Sequence, residues 1–177
     1  RGGGANGGGG GGKMAPSLTV SRRMSAQSVA IDGEMVRVSG NGLALVGCSI
    51  EQDASYWEWQ IERTGGGGSA DDGDDDDEAN APKFGVATKK DQKFYRALQA
   101  AEIDDNEMSG DDGTALMRSV SVRDGDTVGV AVQQSDLPMI QFLLNGEPLH
   151  DIAINRFRGA VFPAIYVREG IKAEAVF

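Results

Sequence analysis

One cysteine and one histidine are the scarcest chemical resources in this 177-residue chain. A lone Cys48 excludes an intrachain disulfide and suits a reducing, intracellular, cytoplasmic setting. A lone His150 excludes a histidine-rich metal cluster, and any Ser-His-Asp or Cys-His set would have to be built on it. Nucleophile-elbow and phosphate-cradling glycine motifs are missing. Apolar runs fall far short of the ~20 residues of a membrane helix. Cations are few as well. Seventeen Lys and Arg face 27 Asp and Glu, a net charge of -10, which argues against binding a phosphate backbone. These absences give the expectations of no enzyme, no cofactor, no metal, no nucleic acid, no membrane and no small-molecule substrate.

What is abundant is the signature of short strands. Asp124 to Leu149 organises the rest. Val128, Val130 and Val132 alternate with small or polar residues, and Ile140, Phe142 and Leu144 repeat the pattern. Ser135 to Pro138 separates the two runs, and Asn145-Gly146 has the residues of a type I′ turn. Such a pair presents one apolar face and needs a second sheet to cover it. Ser55 to Ile61 reads as a central strand with Trp57, Trp59 and Ile61 on the core side and Tyr56, Glu58 and Gln60 on the other.

Further strands are expected around an Asp32-Gly33 hairpin, over Leu43 to Cys48, over Lys83 to Thr88, over Ala115 to Val120, over Gly159 to Val167 and over Ile171 to Phe177. Cys48 reads as a small buried hydrophobe. Gly85 marks a bulge or a close backbone approach, and Pro163 an edge strand or bulge. Ile171, Ala173, Ala175 and Phe177 share one face. Lys89 to Ile103 reads as a long loop with a helical turn. About ten short strands with almost no helix make an all-β antiparallel sandwich.

Two stretches cannot build a core. Residues 1–16 are a glycine-rich tail expected to be disordered, and residues 65–81 hold four glycines and then the acidic run Asp71 to Glu78. The acidic run lacks the ligand offsets and helices of an EF-hand. It reads as a solvated loop, with docking of a basic partner as the alternative. The remainder, 17–177, forms one domain.

In order, Tyr56-Trp57-Glu58, Phe84-Gly85-Val86-Ala87-Thr88, Asp124 to Val130, Phe142 to Leu149, Val161-Phe162-Pro163-Ala164 and the terminal Phe177 resemble the motif series of the SPRY domain family. The resemblance covers about Ala26 to Phe177 and looks most like the small single-domain members. It implies a bent antiparallel β-sandwich with concanavalin-like jelly-roll order. It also implies a non-catalytic module that binds a partner protein or peptide through loops at one end. In the family's peptide binders a tyrosine and a leucine in the loop after the "GVAT" strand line the pocket, which points to Tyr95 and Leu98. Residues after the later "PA" strand point to Val167 and Arg168, and the loop before the first strands to Arg23. Arg168 departs from the tryptophan usual at its place. The alternatives are a lectin-like carbohydrate binder, since fold does not fix function, and a structural subunit of a larger assembly.

Overall fold

The computed structural model describes residues 18–64, 80–88, 115–155, 157 and 159–177. The glycine tail, the acidic run, the expected helical turn, Tyr95, Leu98, Arg156 and Arg158 lie outside the described residues. The described chain is a two-layer antiparallel sandwich. Its strands are β1 (Val29–Asp32), β2 (Arg37–Gly40), β3 (Gly42–Leu45), β4 (Ala54–Arg63), β5 (Lys83–Ala87), β6 (Ala115–Ser119), β7 (Thr127–Gln133), β8 (Met139–Leu144), β9 (Glu147–Pro148), β10 (Ile154–Asn155), β11 (Phe162–Val167) and β12 (Ile171–Val176). One short 3-10 turn, His150–Ile152, has no buried residue. The eight-stranded sheet runs β1-β2-β12-β4-β7-β8-β10 with β9 on β8, and the four-stranded sheet runs β3-β11-β5-β6.

Side-chain alternation explains the larger sheet. Trp57, Trp59 and Ile61 of β4, Val128, Val130 and Val132 of β7, and Ile140 and Phe142 of β8 all point inward and are buried. Their register sets Trp59 beside Val128 and Trp57 beside Val130, which in turn faces Phe142. Ala44, Phe84, Val86, Ile165 and Val167 meet them from the smaller sheet. Neither indole Nε1 finds an acceptor among the described residues, so the tryptophans contribute bulk rather than hydrogen bonds.

The smaller sheet is buried on both faces. Leu43, Leu45, Met117, Phe162 and Tyr166 form a second apolar cluster on its outer side, with Met24 packed against them. Double burial is why β3, β5 and β11 read as continuous apolar runs instead of alternating ones. The turn at Ser21 to Ala26 closes the free edge of β3. The Ser21 and Ala26 amides donate to the Leu45 and Leu43 carbonyls at 2.7 and 2.8 Å, and buried Ser25 accepts the Leu45 amide at 3.1 Å.

Several sequence readings hold and several change. Asn145 and Gly146 both have positive φ, 51° and 84°, as a type I′ hairpin requires. Gly85 is a close backbone approach. A Cβ there would collide with the Leu116 carbonyl and lie 2.9 Å from Met117 Cα. The hairpin after Asp32 is longer than two residues, because Asp32 pairs with Arg37 across a loop of residues 33–36. Pro163 sits on neither an edge nor a bulge. It is the second residue of an internal strand, where β3 has already ended at Leu45, and its carbonyl accepts the Val46 amide at 2.9 Å. Facing Val46 with no N–H to return that bond, it ends the ladder between β11 and β3. Cys48 lies past the end of β3 and is half-buried in a surface cleft, not the core. Phe177 follows β12 and is 43% exposed, so the core face of that strand ends at Ala175.

Gly85→Ala should cost more than about 3 kcal/mol, because the clash is with backbone and not with a movable side chain. Urea unfolding of the variant measures it, and a loss below about 1 kcal/mol would contradict the close packing of β5 on β6.

Candidate functional site

Strand registers define two ends of the sandwich. One end gathers the loop at 33–36, the β3–β4 loop, the β7–β8 loop, the end of β12 and residues 18–20. The other gathers the β8–β9 turn, the β11–β12 turn and Asp124 to Asp126.

Six large hydrophobic residues are exposed among the described residues: Leu18, Met35, Tyr56, Leu137, Val176 and Phe177. All of them lie at the first end. A single exposed apolar side chain is ordinary, but a group on one surface is the usual mark of a contact site. Two clefts run there, sharing Ala54, Ser55 and Tyr56. One has a volume of about 730 Å³ and is walled by Leu18, Cys48, Trp57, Pro163 and Phe177. The other, about 340 Å³, lies over Ala131, Met139 and Gln141. Tyr56 is the ridge between them.

Tyr56 is held in place. Its ring crosses Gly129, where a Cβ would come within 3.0 Å of two ring carbons. Its Oη donates to Glu58 Oε1 at 2.7 Å. Burial of the ring, followed by the hydrogen bond and the negative charge of Glu58, pushes the phenol up to about 12. The surrounding loops are tied to one another by backbone bonds. The Val20 amide donates to Met35 at 2.7 Å, Gly47 to Thr19 at 3.0 Å, Gln134 to Asp53 at 2.8 Å, Ile50 to Val161 at 2.8 Å and Ala175 to Val36 at 2.8 Å. A rim stitched in this way loses little conformational freedom when something binds to it.

The residues expected from the sequence are placed as follows. Tyr95 and Leu98 lie outside the described residues, but β5 and β6, which flank their segment, meet it at the apolar end, with Ala87 beside Ala115. Val167 is fully buried in the inter-sheet core, so its side chain is closed to a partner. Arg168 is at the opposite end. Its guanidinium lies 4.7 Å above the Tyr166 ring, and its Nε donates to the Ala81 carbonyl at 3.4 Å. Burial raises the Tyr166 phenol and the Arg168 charge offsets part of that. Arg23 is exposed on the turn beside β3. Of the described ones, Val167 in the core, Arg168 at the opposite end and Arg23 on the turn beside β3 do not form one surface. From sequence alone Tyr56 is only a residue of the non-core face. The signal that it is special is Gly129, whose bare surface on β7 seats the ring, and that pairing becomes visible only with the register.

No group of His, Cys, Asp or Glu suited to a metal ion occurs among the described residues. Glu58, the carboxylate best placed on the strand face, is engaged by Tyr56.

By sequence the chain matches no family model and no curated protein. By structure it is similar to the neuralized NHR1 domain of Drosophila melanogaster, with a TM-score of 0.66 at 7% identity over 92% of this chain and 99% of that one. It is similar to the TRIM65 PSpry domain, with a TM-score of 0.54 at 14% identity over 90% and 92%. The SPRY domain of human HERC1 gives 0.52 at 12% identity over 88% and 96%. At these identities the shared property is the fold, and the fold of the described chain is the SPRY-type sandwich.

The raised phenol of Tyr56 has a measurable consequence. Neutral Tyr56 is favoured in the folded state, so its contribution to stability is complete below about pH 10 and disappears as the pH rises through about 12. A tyrosinate absorbance titration of wild type minus Tyr56→Phe should show a group ionising near pH 12. Glu58→Gln should move it back towards about 10. A difference curve already centred near 10 in the wild type would contradict the Tyr56–Glu58 contact.

Proposed function

We propose that this SPRY-fold chain is a non-catalytic interaction module that docks a partner protein through the apolar end of its sandwich. The observation that carries the proposal is the gathering of every exposed large hydrophobic residue of the described chain onto that one end, around the fixed ring of Tyr56. The likeness to SPRY domains, which act as interaction modules, supports the same reading.

The physical logic follows from rigidity and shape. Tyrosine gives a large, stiff contact area with a single polar handle, which is why it is enriched where interfaces concentrate their energy. Here the handle is already occupied by Glu58, so the ring is aimed before a partner arrives. The clefts on its two sides accept side chains that would straddle it. The segment holding Tyr95 and Leu98 joins its flanking strands at this end, and we assign both residues to the same interface. Arg168 and Arg23 remain candidates for separate contacts.

Affinity capture with crosslinking, followed by identification of the bound protein, tests the assignment. Tyr56→Ala should weaken capture about 30-fold, equivalent to the ~2 kcal/mol of an interface hot spot, while Arg168→Ala leaves it unchanged. The reverse outcome, from folded variants, would move the interface to the opposite end.

A further inference from the structure

The charge around the apolar end goes further and specifies the chemistry of what docks there. Glu34, Glu51, Asp53 and Asp136 occupy its loops, and Glu58 lies beneath Tyr56. Arg37, which follows the 33–36 loop, is already paired with Glu174 at 2.5 Å. The opposite end is mixed: exposed Arg63, Arg123 and Lys172 accompany Glu62, Asp124, Glu147 and Glu169. Among the described residues, negative charge therefore predominates on the side where the hydrophobic clefts open.

We infer that the apolar end takes a protein segment carrying an aromatic or long aliphatic anchor flanked by Lys or Arg. The inference rests on the docking reading above and adds the partner's charge. The anchor enters the cleft walled by Leu18, Cys48, Trp57, Pro163 and Phe177. The cations lie over Glu51 on one side of Tyr56 and over Asp53 and Asp136 on the other. The Asp53 and Asp136 loops are joined through the Gln134 amide and the Asp53 carbonyl at 2.8 Å, so these two carboxylates are carried on one connected surface. Complementary charge of this kind mainly raises the association rate and rejects acidic competitors, while the apolar anchor holds the complex. An acidic or phosphorylated segment would meet repulsion from these carboxylates.

Selection of short random peptides displayed on phage against the full chain tests the inference while the natural partner is still unidentified. Enriched peptides should combine an anchor residue with Lys or Arg, and their binding should fall steeply with added salt. Tyr56→Ala should weaken binding about 30-fold. A double charge reversal, Glu51→Lys with Asp53→Lys, should slow association roughly tenfold while leaving thermal unfolding unchanged. Enriched peptides that need Tyr56 but are neutral or acidic would overturn the inference and leave the docking reading standing. No enrichment, or binding unchanged by Tyr56→Ala, would overturn both.

Discussion

The packing of two indoles between two sheets is the constraint on which the rest of this structure depends. Trp57 and Trp59 stand on one face of β4, the strand at the middle of the larger sheet, with β12 on one side and β7 on the other. Losing a buried side chain of that size costs about 3–5 kcal/mol, a large share of a small domain's net stability. Because a strand alternates its faces, fixing the indoles inward also fixes Tyr56 and Glu58 outward. A slip of one residue would bury Glu58 and expose both tryptophans. The position of Tyr56 on the surface is thus a consequence of how the core is filled.

The smaller sheet responds to the same constraint. It supplies Phe84, Val86 and Ile165 against the indoles on one side and buries Leu43, Leu45 and Tyr166 on the other. Such a sheet needs its edges managed, since unpaired strand edges invite other chains. The Ser21 to Ala26 turn covers β3. The same turn reaches β1 through the Arg22 guanidinium, which donates to the Val29 and Ala26 carbonyls. With the β3 edge closed by these bonds, the large apolar side chains that stay exposed among the described residues are concentrated at one end. There they are held rigidly, because the loops carrying them are bonded to each other and not only to water.

Much of this is legible in the sequence wherever the information is local. The period-two runs of β4, β7 and β8, the Asn145-Gly146 turn and the demand for bare backbone at Gly85 can all be read from neighbours within a few residues. The failures are nonlocal. Pro163 resembles an edge residue because nothing in its own segment says that β3 stops one residue short of it. Cys48 and Phe177 continue apolar patterns past the point where the partner strands end, so they mimic core residues and lie at the rim. The site suffers most. Arg168 and the segment of Tyr95 belong to one motif series yet attach to opposite ends of the smaller sheet, a relation set by strand order alone.

The central claim is that one end of a stiff sandwich, built around Tyr56, is the surface this chain offers to another protein. Amide hydrogen exchange of the full chain, with and without a captured partner, tests it most directly. Protection on binding should fall on residues 33–36, 47–56, 133–139 and 175–177, with the turns at 145–146 and 168–170 unchanged. Protection confined to those two turns, with the Tyr56 end exchanging as it does in the free chain, would contradict the account.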